Sequence, residues 1–108
     1  MINVTIYTKN NSIVGFKSEG HAGYEDIGKD IICAAVSVLV INTANSIEKF
    51  TSDEFVEECD DENGMVLFKI KTEYPSKEAS LLLRSFQLGI IGIAKEHSEY
   101  VCVSFKEV

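Results

Sequence analysis

The order of apolar segments predicts an α+β fold: a two-layer sandwich in which a mostly antiparallel five-stranded sheet carries two helices packed on one face. Three observations predict it. Short segments of apolar–polar alternation come in pairs separated by turn-forming residues, as in β-hairpins. A longer apolar run with a capping residue ahead of it follows each pair. A last alternating segment closes the chain, so the order is ββαββαβ. No long linker, low-complexity segment or internal repeat divides the 108 residues, and a single domain, 1–108, is expected.

Residues 2–8, INVTIYT, alternate strictly, with Ile2, Val4 and Ile6 facing one way and Asn3, Thr5 and Tyr7 the other. KNNS (9–12) is turn chemistry, and IVGFKSE (13–19) returns as the second strand of a hairpin. Residues 20–28 contain Gly20, Gly23 and Gly28 without periodicity and read as a loop. Asp30 is suited to cap a helix running from about Ile31 to Phe50. DEFVEEC (53–59) and MVLFKIK (65–71) flank DENG (61–64) as a second hairpin. Pro75 then precedes Ser76, the expected cap of a second helix reaching about His97, and EYVCVSFKE (99–107) alternates as the fifth strand.

Both helices are more apolar than a helix lying on one sheet face requires, since such a helix turns a polar stripe outward. Residues 31–41, IICAAVSVLVI, are apolar all round except Ser37, and LLLRSFQLGIIGIA (81–94) has few polar positions. A second copy is the simplest cover in so short a chain, so a homodimer through the helix surfaces is expected.

Seventeen acids against ten bases give a net charge of −7. Such a surface repels phosphate backbones and anionic lipid, so neither nucleic acid nor membrane is an expected partner, and a basic partner is favoured. The N-terminus lacks the basic and apolar regions of a signal peptide, and the 31–41 run is too short to span a bilayer. Three cysteines without CxxC spacing argue against a disulfide framework and fit a reducing cytoplasm.

The chemistry concentrates in GHAGYEDIGKDIICAAVS, residues 20–37. With Asp30 as cap, Cys33 stands in the first helical turn. Unpaired N–H groups and the helix dipole favour a thiolate there and could receive an oxyanion. His21 titrates near neutrality, so it can pair with that thiolate and protonate a leaving amine. Ser37 lies four residues beyond Cys33 on the same helix face, and Asp30 could cap, orient His21 or bind substrate. The same residue types also fit plainer roles: Cys33 as a small core residue, His21 as an exposed loop side chain, Asp30 as a cap only, the glycines as turn residues. Cys59 sits among acids that raise a thiol's pKa, Cys102 reads as structural, and His97 as a helix terminator. His21, Cys33, Cys59 and Cys102 lack paired metal-ligand spacing.

The same stretch, as GHAGY…G.DI.CAAVS, resembles the signature of the ribosomal-processing cysteine proteases, the Prp family of bacteria. The chain's length, acidity and ββαββαβ order resemble that family as well. The resemblance implies a homodimeric cysteine endopeptidase that removes an N-terminal extension from large-subunit ribosomal protein number twenty-seven. It implies a catalytic His21 and Cys33, supporting roles for Asp30 and Ser37, and a substrate-binding loop around Gly20, Gly23 and Gly28. No metal or cofactor is needed. The competing reading is a non-enzymatic, dimeric, ribosome-associated module that binds a peptide and carries an incidental thiol.

Overall fold

The computed structural model describes residues 1–20 and 27–108, with side chains for all of these except 27–30. The elements follow in the expected order: β1 (Ile2–Lys9), β2 (Ser12–Glu19), α1 (Ile27–Phe50), β3 (Phe55–Asp60), β4 (Met65–Ile70), α2 (Lys77–Glu96) and β5 (Val101–Glu107). One five-stranded sheet has the order β3-β4-β2-β1-β5. Three of its four pairings are antiparallel; β5 runs parallel to β1, so the sheet is mixed. Parallel neighbours need a crossover, and α2 brings the chain across the sheet face to the free edge of β1.

The first hairpin closes through Asn10 and Asn11, with φ of 52° and 66°. A two-residue loop of this twist needs positive φ at both positions, and asparagine tolerates it best after glycine. Register shifts between Tyr7 and Thr8, leaving Val14 as the extra residue of a bulge in β2. Ile13 and Phe16 would face opposite ways on a regular strand; the bulge turns both into the core.

That core lies between the sheet and the two helices. Ile2, Val4 and Ile6 of β1 and Phe16 of β2 meet Ile32, Val36, Val40 and Ile47 of α1 and Leu83, Phe86 and Ile90 of α2, all buried. Phe16 stacks on Phe86 at 4.3 Å between ring centroids and on Phe68 at 5.5 Å, and Phe68 stacks on Phe55 at 4.9 Å. Where the helices meet, Gly89 makes room for Leu39: an added Cβ would lie 3.1 Å from Leu39 Cδ1.

α2 starts as expected. The Ser76 side chain accepts from the Ala79 N–H at 3.1 Å. Its own hydroxyl and N–H both donate to Asp53, the N–H at 2.8 Å, which ties the helix start to the segment ahead of β3. Burial alone would raise the Asp53 pKa, but the bonds from Ser76, with Thr51 and the local backbone, hold it below the usual carboxylate value.

α1 departs from expectation. It starts at Ile27, about four residues early, so Gly28 lies within the helix and Asp30 is its fourth residue rather than its cap. Glycine and the polar pair Lys29–Asp30 carry no apolar period, which hid this turn from the pattern. Residues 31–50 are long and apolar enough, by length and composition, to cross a membrane, with a mean hydropathy of 1.6. Here one row of them is packed in the core.

Candidate active site

A pocket of about 60 Å³ opens where the N-terminal half of α1 passes over one end of the sheet. β1 contributes Ile2, β2 contributes Ser18 with Gly20 just beyond its end, the β3–β4 turn and β4 contribute Gly64 and Val66, and α1 contributes Cys33, Val36, Ser37, Val40 and Ile41. The walls are mostly apolar, and one thiol, that of the half-buried Cys33, stands among them with the hydroxyls of Ser18 and Ser37.

Each part is positioned by local chemistry. Cys33, Ser37 and Ile41 are spaced i, i+4, i+8 and so form one row along α1. Their neighbours Ile32, Val36 and Val40 point into the core, which fixes the rotation of the helix and turns the thiol to the pocket edge. Gly20 follows the end of β2 with φ of 115°, which side-chain-bearing residues rarely adopt, and a Cβ there would strike the Met1 carbonyl. Its N–H donates to the Asn63 carbonyl at 3.3 Å. Asn63 is held by the Asp60 carboxylate, which accepts from its Nδ2 at 2.7 Å and from its backbone N–H at 3.4 Å. The β3–β4 turn thus braces the point where β2 ends.

Of the residues singled out in the sequence, the structure brings Cys33, Ser37 and Gly20 to this one pocket. His21 and Gly23 lie outside the described residues, and so do the side-chain surroundings of Asp30 and Gly28. Cys33 does not stand in the first turn of α1, where the sequence pattern would put it. With α1 beginning at Ile27, Cys33 is its seventh residue, and its N–H falls within the regular helical ladder. The four N–H groups without an intrahelical acceptor are those of residues 27–30, and the dipole effect fades beyond that turn.

The other two cysteines and the other histidine stand apart from the pocket lining. Burial, the charges of Glu57 and Asp61 and a hydrogen bond to Glu57 all push the Cys59 thiol up. Cys102, expected to be structural, is exposed on the edge strand β5. His97 caps α2, its N–H donating to the Ile93 carbonyl at 2.9 Å. Sequence patterns missed Ile2, Ser18, Val36, Val40, Ile41, Gly64 and Val66 as pocket residues. They belong to four elements and one turn and meet only through sheet register and helix placement, which no local motif records.

Comparison with known proteins places this geometry in context. The family described as Cysteine protease Prp matches residues 1–102. The ribosomal processing cysteine protease Prp of Staphylococcus aureus is 29% identical over 89 residues, 82% of this chain and 82% of that protein. Two S. aureus crystal structures share the fold over 98% of this chain and 100% of theirs. An essential ribosomal processing protease Prp in complex with a substrate peptide superposes with a TM-score of 0.89 at 25% identity. The same protease in complex with a covalently linked product peptide superposes with a TM-score of 0.87 at 26% identity.

Proposed function

Because the chain belongs to the Prp family of cysteine proteases and is itself a cysteine protease, we propose that Cys33 is its nucleophile and His21 its proton carrier. One observation supports the pairing above others: Gly20, which precedes His21 in sequence, lines the same pocket as the Cys33 thiol. Among the three cysteines, only Cys33 lines that pocket.

In this reading the Cys33 sulfur attacks the scissile carbonyl carbon, and the C–N bond breaks as His21 protonates the departing amine. The N-terminal fragment remains as a thioester on Cys33. Water then attacks that thioester and gives a proton to His21, the C–S bond breaks, and the fragment leaves as a carboxylic acid with Cys33 and His21 returned as the thiolate–imidazolium pair. Asp30 and Ser37 support these steps, and Gly20, Gly23 and Gly28 belong to the segment that receives the peptide. The relatives' description as ribosomal processing proteases supports a ribosomal protein precursor as substrate, with the N-terminal extension of large-subunit protein number twenty-seven as the specific choice. The net charge of −7 suits a basic substrate of that kind. Free thiols at all three cysteines suit a cytoplasmic setting, and the exposed apolar side chains of α1 and α2 suit a homodimer.

The test is incubation of the purified protein with a synthetic peptide spanning the precursor's N-terminal extension, read by mass spectrometry. One internal cut is expected, absent with Cys33→Ala and with His21→Ala. An uncut peptide, or a cut that survives Cys33→Ala, overturns the proposal.

A further inference from the structure

We infer that Ser18 makes the pocket beside Cys33 a selective subsite: its hydroxyl hydrogen-bonds the end of one substrate side chain, so that a peptide carrying an uncharged polar group there, a hydroxyl or a carboxamide, is preferred. The inference rests on the protease reading above and adds to it a residue that sets substrate choice.

Two polar side chains are buried among the described residues, Ser18 at 7% and Thr43 at 6% exposed. Thr43 settles its hydroxyl within its own helix, donating to the Leu39 carbonyl at 2.7 Å. Among the described residues no such bond engages the Ser18 hydroxyl. A buried hydroxyl without a partner is costly, and protein interiors rarely keep one. Nor is this one sealed: among the described residues no fully enclosed side-chain oxygen or nitrogen lacks a partner, so the Ser18 hydroxyl opens into the pocket that it lines.

Sheet register aims it there. Phe16, two residues earlier on β2, points into the core, so Ser18 also faces the helix layer. It pairs with Val4 of β1, in the core, and with Val66 of β4, on the pocket wall. Cys33 is half-buried on the α1 side, so a side chain that passes the thiol meets Ser18 deeper in.

The other hydrogen-bonding groups nearby are committed or lie further out. The Gly20 N–H donates to the Asn63 carbonyl at 3.3 Å, and the Gly64 N–H donates to the Asp61 carbonyl at 3.4 Å. Ser37 is exposed. An entering side chain therefore finds apolar contacts and one free hydroxyl. That hydroxyl both donates and accepts, so it serves the hydroxyl of Ser or Thr and the carboxamide of Asn or Gln. An apolar side chain of the same shape fills the pocket and leaves the Ser18 hydroxyl unpaired, which weakens the complex. An ionised side chain loses more hydration than one hydroxyl returns.

The experiment varies the precursor peptide one position at a time with near-isosteric pairs, Thr against Val and Asn against Leu, and measures kcat/KM with wild type and with Ser18→Ala. At one position wild type is expected to prefer the polar member at least tenfold, and Ser18→Ala is expected to lose that preference. Because an unpaired hydroxyl adds nothing to the fold, Ser18→Ala should melt at or above the wild-type temperature. Calorimetry on the Cys33→Ala protein, with and without Ser18→Ala, reads the same preference as binding of uncut peptide. A Ser18-dependent preference in binding, with no member cut by wild type, would count against the protease reading alone. No polar preference at any position in cleavage or binding, a preference that survives Ser18→Ala, or a Ser18→Ala protein that melts several degrees below wild type would each overturn the inference.

Discussion

Cys33 and Cys59 carry the same side chain in opposite settings. Cys33 stands half-buried on a mostly apolar pocket wall; Cys59 is exposed on an edge strand, its thiol pushed up by partial burial and by Glu57 and Asp61. Removal of the Cys33 sulfur, as Cys33→Ala, is expected to lower peptide cleavage by at least about 10³-fold, and His21→Ala by about 10²–10⁴-fold, in initial-rate assays. Cys59→Ala should leave the rate unchanged, and Cys59 alkylation should rise with pH at a midpoint above that of a free thiol, as read by site-resolved mass spectrometry. Asp53 has the reverse shift. Its folded-state pKa lies below its unfolded value, so its contribution is present above about pH 4 and is lost as pH falls through the folded value. Asp53→Asn should therefore melt below wild type at pH 7, and the gap should close as the pH is lowered past about 4. A gap that stays constant with pH would show that the Asp53 charge plays no part. Gly20, Cys33 and Ser37 were legible in the sequence as members of one glycine-bracketed stretch, and the structure brings these three to one pocket. The reason first given for Cys33 was not, since it depended on where a helix begins.

Helix starts show what a local pattern can carry. Ser76 was readable as a cap because Pro75 and the apolar run bracket it, and the structure adds Asp53, 23 residues away, as the group that holds the cap in place. Ser76→Ala is expected to cost about 1 kcal/mol or more in denaturant unfolding, since it removes the cap and one partner of Asp53 together. The start of α1 was not readable: Gly28, Lys29 and Asp30 offer no apolar period, so the helix appeared to begin with the run at Ile31. The β2 bulge was equally hidden. IVGFKSE alternates poorly on paper, and only pairing with β1 shows that Val14 is the extra residue that lets Ile13 and Phe16 share the core. Phe86, buried and stacked on Phe16, links α2 to the sheet, and Phe86→Ala should destabilise by about 3–5 kcal/mol in the same unfolding experiment.

Across the molecule, five strands and two helices were predictable from alternation, turns and caps, and so was their gathering into two layers. Strand order was not, because β5 joins β1 in parallel through a crossover that leaves no local signature. The pocket depends on that order, as Ile2, Ser18 and Val66 come together only through the pairing of β1, β2 and β4. The surplus apolar surface of the helices was visible as a missing polar stripe, and it persists in the folded chain as exposed Ile31, Val38, Leu81 and Leu88. All of this places one thiol at one pocket, and the account stands on that thiol forming a bond to the substrate. Rapid quenching of the wild-type protein with the precursor peptide, followed by intact-mass and fragment-mapping mass spectrometry, tests it most directly. The account predicts a transient adduct equal to the N-terminal fragment less one water, mapped to Cys33. An adduct mapped to Cys59 or Cys102, or cleavage at the wild-type rate by Cys33→Ala, would contradict it.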